Sequence, residues 1–135
     1  MKAVLIIFLS FAYAKAIYDT QVGSSCKSTG EFFITSFNVN PWPPTQGGNS
    51  SAVITGIIRQ TLSISQIQLV ICDKDQNCDW YWQMIFKSYN VGQVVTFNTV
   101  FFWPNTPGAY EAFFNVNADD KLLTVEGCWM FSFSY

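Results

Sequence analysis

The chain of 135 residues contains no histidine. That absence removes the base of Ser-His-Asp and Cys-His catalytic arrangements and the commonest metal ligand. Charge is scarce as well, with Asp, Glu, Lys and Arg making up 12% of residues. No basic tract is present, which argues against a nucleic-acid partner held through its phosphates. Apolar runs are short: the longest, Val4 to Phe11 and its flanks, falls well below the roughly 20 residues that span a bilayer. Helical periodicity is missing over any useful length, which excludes a bundle. What fills the space instead is aromatic, with 13 Phe, 5 Trp and 6 Tyr. That is more apolar material than a minimal core requires, and the surplus needs a use.

The first sixteen residues, MKAVLIIFLSFAYAKA, read as a secretory leader. Lys2 is the positive end, Val4 to Phe11 the apolar stretch, and Ala12-Tyr13-Ala14 the small-x-small pattern cut by signal peptidase. Ala14-Lys15-Ala16 is a second possible cut. The expectation is a leader over residues 1–14, with cleavage after 16 as the variant, and one domain over 17–135. The protein is then secreted or lumenal, endo-lysosomal compartments included. Losing Lys2 with the leader takes the balance from seven basic and nine acidic side chains to six and nine, a net −3.

Four cysteines remain: Cys26, Cys72, Cys78 and Cys128. An even number behind a leader reads as two disulfides, for which three pairings exist. Cys72 and Cys78 are near neighbours across a polar loop, so their bond would clip a local turn and leave Cys26 with Cys128.

Short runs rich in Phe, Val, Ile, Trp and Thr alternate with clusters of Gly, Pro, Asn and Asp, the pattern of strands and turns. Strands are predicted over residues 31–40, 51–58, 66–72, 80–86, 94–102, 109–117 and 128–135. A short strand near 17–20 is added at the start, and 122–125 extends the last one. Seven or eight such strands suggest an all-β, immunoglobulin-like antiparallel sandwich. Alternation assigns faces. Tyr110, Ala112, Phe114 and Val116 share one, Trp129, Phe131, Phe133 and Tyr135 another, and Ile67, Leu69 and Ile71 a third. In residues 80–86 both faces are apolar, so that both are covered or one is exposed and sticky.

The segment Phe37–Gly56, FNVNPWPPTQGGNSSAVITG, carries a stiff corner. Pro41, Pro43 and Pro44 cannot donate to a ladder and end the pairing, while Gly47-Gly48 lets the chain return. Trp42-Pro43 is a candidate cis bond. Asn49-Ser50-Ser51 at that turn is the only N-glycosylation sequon.

In this order, several features resemble the ML (MD-two-related lipid-recognition) family of secreted domains. They are the Val39–Gly47 corner, Ile54-Thr55-Gly56, the Cys72…Cys78 clip, Pro107-Gly108-Ala109-Tyr110, an Asp-Asp-Lys turn and Cys128-Trp129 opening the final strand. The family includes the Niemann-Pick type C sterol carrier, mite group-two allergens and plant phospholipid-transfer-like proteins. The resemblance implies a sandwich whose sheets splay to hold a lipid, and the same cysteine pairing. The chain departs in lacking a third disulfide near its start and in an unusually aromatic 80–89 segment, so the ligand class is not carried over from the sterol branch.

Catalytic or metal chemistry is not expected. Asp73-x-Asp75-x-Asn77-x-Asp79 resembles the opening of a calcium loop, but Cys78 stands where glycine is required and Met84 where the bidentate glutamate belongs. Asp119-Asp120 sits in a turn, where carboxylates shape the backbone. The thiols are oxidised on this reading and supply no nucleophile. The chain is therefore expected to be no enzyme and to use no cofactor, with bound lipid as its ligand. The inward-facing candidates for the walls of a lipid cleft are Phe37, Val39, Ile54, Ile67, Leu69, Ile71, Phe97, Phe101, Tyr110, Phe114, Trp129, Phe131 and Phe133. Core packing is the competing role for each, since alternation does not separate a wall residue from a filler. Lipid is the expected partner, with transient membrane contact or self-association as further ones and nucleic acid excluded. The alternatives to a lipid carrier are a self-assembling structural protein, suggested by Trp80-Tyr81-Trp82, and a carbohydrate-binding module.

Overall fold

The computed structural model describes residues 21–135; the leader and the strand expected at 17–20 lie outside the described residues. Eight strands follow one another: β1 (Ser24–Ser25), β2 (Phe32–Asn40), β3 (Asn49–Ile58), β4 (Leu62–Asp73), β5 (Cys78–Tyr89), β6 (Val94–Phe102), β7 (Ala109–Ala118) and β8 (Val125–Ser134). They form two antiparallel sheets, one of five strands in the order β1-β8-β7-β4-β5 and one of three in the order β2-β3-β6. The expected all-β sandwich is therefore the fold observed. Strands β4 and β5 run longer than the sequence suggests, because their hairpin ladder continues to the Cys72–Cys78 pair at one end and Leu62–Tyr89 at the other.

Alternation does assign the faces. Tyr110, Ala112, Phe114 and Val116 of β7 are all buried, as are Trp129, Phe131 and Phe133 of β8 and Ile67, Leu69 and Ile71 of β4. Phe37 of β2 joins the two layers. Its ring lies 5.3 Å from Phe114, 5.5 Å from Phe131 and 6.0 Å, stacked, from Trp129, all in the five-stranded sheet. Phe101 of its own sheet stands 6.1 Å away. Rings at these separations add to the area each buries.

The proline corner has a packing purpose. Both Asn40-Pro41 and Trp42-Pro43 are cis. The corner places Trp42 against Phe131, Trp103 and Phe133, edge-on at 5.7, 6.5 and 6.5 Å, so that it plugs one end of the core. Beneath it Trp103 Nε1 donates to Ser50 Oγ at 2.8 Å, and Ser50 Oγ donates to the Pro41 carbonyl at 2.7 Å. The sequon does not sit in the turn, as expected, but opens β3: the ladder between β3 and β6 reaches Asn49, opposite Phe102. Asn49 is nonetheless exposed.

Two further boundaries differ. Cys128 and Trp129 lie within β8 rather than opening it, since pairing with β7 starts at Val125. Leu122 to Thr124 belong to the preceding turn, where the Asp120 carboxylate accepts the N–H groups of Leu122 and Thr124 and the Thr124 hydroxyl. The two disulfides are Cys26–Cys128 and Cys72–Cys78, as expected. Near the first of them the chain changes sheets. Gln21 bridges Asn38 of β2, whereas Ser24 and Ser25 pair with β8. Gly23 makes the step at φ 69°, and a Cβ there would lie 2.1 Å from the Met130 carbonyl oxygen, so only glycine fits. Gly56 is needed for another reason: a Cβ would meet the Phe32 ring at 2.5 Å.

Candidate functional site

The unequal widths of the sheets create an opening. β5 forms one edge of the five-stranded sheet and β6 one edge of the three-stranded sheet, and the groove between them is about 340 Å³. One wall is a run of three cross-strand pairs, Ile67–Gln83, Gln68–Trp82 and Leu69–Tyr81. The other is Thr99 to Phe102 of β6, and Phe114 of β7 completes the lining. The floor is dry: Ile67, Leu69, Phe101 and Phe114 are at most 4% exposed. The polar side-chain groups are the amides of Gln68 and Gln83, the Thr99 hydroxyl, the Tyr81 phenol and the Trp82 indole N–H. The Asn115 amide donates to Gln68 Oε1 at 3.5 Å, which fixes one of these. Burial, helped by the nearby Asp79 carboxylate, pushes the Tyr81 hydroxyl above its ordinary 10.0, so it stays neutral and able to donate a hydrogen bond at neutral pH.

All thirteen candidate wall residues are buried in a single apolar cluster. The groove brings together Ile67, Leu69, Phe101 and Phe114. Phe37, Val39, Ile54, Phe97, Trp129 and Phe131 do not line the groove and pack elsewhere in the core, while Ile71, Tyr110 and Phe133 line two larger depressions at the Asp73 end, of about 600 and 690 Å³. Tyr110 is held there by donating its hydroxyl to the Thr106 carbonyl at 2.6 Å. The groove residues that alternation missed are Gln68, Tyr81, Trp82, Gln83, Thr99, Val100 and Phe102. Only Tyr81, Trp82 and Gln83 carried a signal, the double-faced apolar character of residues 80–86.

The Asp73 loop is a turn closed by its own carboxylate. Asp73 Oδ1 accepts the N–H groups of Asp75 and Asn77, each at 2.9 Å, and Oδ2 accepts the Asn77 amide at 3.2 Å. These bonds, that from the Asn77 backbone first, hold its pKa below the ordinary 3.8. Among the described residues no group of three or more His, Cys, Asp or Glu side chains is placed to hold a metal ion. No helix among them is long and apolar enough to cross a membrane.

No family model matches the chain, and neither does any curated protein. Among solved structures, the chain is similar to that of a Niemann-Pick type C2 protein from Japanese carpenter ant. The likeness has a TM-score of 0.63 and covers 82% of this chain and 96% of that one, at 7% sequence identity. At that identity it establishes the fold, which is the one the ML resemblance implies.

Proposed function

We propose that the chain is a secreted or lumenal, non-enzymatic lipid-binding protein. In this reading a single acyl chain or a similarly slender apolar ligand lies in the groove between β5 and β6. The observation that carries the proposal is a dry-floored opening between two sheets that are otherwise closely packed. Its 340 Å³ falls at the lower end of the roughly 300–1,000 Å³ typical of small-molecule sites. Burying an acyl chain there contributes about 0.8 kcal/mol per methylene, so affinity follows from length without any charged contact. Gln83, Thr99 and Tyr81 are the groups suited to orient a polar headgroup at the mouth. The shared architecture with the ant protein and the two disulfides, which persist in oxidising compartments, support the same reading.

Native mass spectrometry of the protein secreted by expressing cells, before and after organic extraction, tests it. A discrete excess mass that disappears on extraction is the expected result and identifies the ligand. Extracted protein that remains folded yet takes up no fatty acid, sterol or phospholipid overturns the proposal.

A further inference from the structure

The opening beside β5 does not end with the groove. Gln83, Tyr81 and Asp79 of β5 pair with Ile67, Leu69 and Ile71 of β4, a stretch that lies clear of the register shift between Ile64 and Gln66. Partners across an antiparallel ladder share a face, and the three β4 residues are buried, so all six project toward the opposing layer. The first two pairs wall the groove, with β6 as far as Phe102. The depression of about 690 Å³ takes over at the third pair, Ile71–Asp79, and at Pro104, two residues past Phe102. One step of two residues along each of three segments therefore leads from one cavity to the next. At about 3.3 Å per residue, Asp79 stands roughly 7 Å beyond Tyr81. Its charge is felt there: after burial, the Asp79 carboxylate is what raises the Tyr81 hydroxyl above its ordinary 10.0.

We infer that the ligand of the groove runs on into this depression, and that Asp79 selects its polar end: an amphiphile with a cationic amine headgroup, held beyond Tyr81 and against the Asp79 carboxylate. The inference rests on the lipid-binding reading and adds to it a direction and a headgroup class. Direction follows from the change in lining. Among the described residues no charged side chain lines the groove, whereas Asp79 lines the depression above a buried floor of Ile71 and Tyr110. The apolar part of the ligand thus matches Ile67 and Leu69, and its polar part the next pair along. Of the groups suited to meet a headgroup, Tyr81 is the one beside the depression, where its neutral hydroxyl can bond the first polar atom of the ligand. The sign of the headgroup follows from the cations. Lys74 also lines the depression, but its ammonium is close to Asp73, where it adds to the hydrogen bonds from Asn77 and Asp75 in lowering that carboxyl's pKa. Lys87, the other cation of the β4–β5 hairpin, holds its ammonium over the Tyr89 ring at 5.4 Å. Asp79 is left without an opposing cation, so an anionic headgroup meets repulsion there and an amine meets attraction.

Displacement of N-phenyl-1-naphthylamine, an uncharged fluorescent probe, from the extracted secreted protein tests it. Dodecylamine, dodecanol and laurate are the competitors, equal in chain length and cationic, neutral and anionic at neutral pH. In low salt dodecylamine should bind about tenfold more tightly than laurate, with dodecanol between them, and the spread should narrow in about 1 M salt. Asp79→Lys should reverse the order, so that laurate displaces the probe better than dodecylamine. A gain of laurate affinity cannot come from unfolding. Asp119→Lys makes the same change of net charge in the turn after β7, at the far end of that strand from Tyr110, and should keep the wild-type order. A flat or inverted order in the wild type overturns the inference and leaves the lipid-binding reading standing. So does an order that survives Asp79→Lys, or one that Asp119→Lys reverses as well. If the probe and all three competitors fail to bind, that reading falls and the inference falls with it.

Discussion

Ser50 shows how much a single small side chain holds in this molecule. It is 1% exposed and joins the Trp103 indole to the Pro41 carbonyl, and so ties the strand after the corner to the corner itself. Ser50→Ala would leave the buried indole N–H without its acceptor and free the Pro41 carbonyl. Each buried group deprived of a partner costs about 1–3 kcal/mol, and urea denaturation should show a loss of that order. Asn49 and Ser51 stay in place in this variant, so any glycan at Asn49 is unaffected and the comparison is clean. The position could not be read from the sequence. Ser50 looks there like a turn residue within a sequon, and only the fold brings Trp103, 53 residues away, onto its hydroxyl.

At the scale of elements, period-two alternation was a sound guide wherever both layers are present. Tyr110 to Val116 and Trp129 to Phe133 have cores on one side and solvent on the other, and their patterns report it. In β5 the same rule gives no answer, because one face is only partly covered, Ile85 packing against the core, while Trp80, Trp82, Met84 and Phe86 on the other are exposed, and apolar residues occupy both. The cysteine reading held because the spacing of Cys72 and Cys78 matches a hairpin. The two bonds differ in what they constrain. Cys26–Cys128 closes a separation of 102 residues and Cys72–Cys78 one of 6, so in the chain-entropy model their removal costs about 4–5 and about 2 kcal/mol. Chemical denaturation of the Cys26→Ser/Cys128→Ser and Cys72→Ser/Cys78→Ser pairs should rank in that order. The β7–β8 turn has its own pH dependence. Hydrogen bonds from Thr124, hydroxyl first, hold the Asp120 pKa below its ordinary 3.8. A carboxyl lowered by folding stabilises while ionised, so the contribution is intact above pH 3.8 and lost as pH falls through the lower folded value. The protection of the Leu122 and Thr124 amides relative to their intrinsic exchange rates should therefore fall only below pH 3.8, and Asp120→Asn should abolish that step.

For the molecule as a whole, the decisive quantity is the difference between five strands and three. It leaves β5 without an opposing strand and opens the groove beside β6, and it was not legible, because hydrophobic alternation reports that a face is covered without saying by what. That is why four of thirteen wall candidates line the groove while Tyr81 and Thr99 were missed. Thr99 gives the sharpest test of what the opening is for. It shares a face of β6 with buried Phe97 and Phe101, lines the groove, and is only partly buried. Thr96 is on the same strand but the opposite face, its hydroxyl 3.1 Å from that of Thr55. Thr99→Trp should fill the mouth and abolish lipid uptake, whereas Thr96→Trp adds the same bulk outside and should leave uptake intact. A ligand that binds only the folded chain at a hundred times its dissociation constant stabilises it by about 2.7 kcal/mol. That increment, taken for each protein relative to its own extracted form, should appear in the unfolding of the wild type and of Thr96→Trp, and be missing from Thr99→Trp. Equal stabilisation of all three would place the lipid outside the groove.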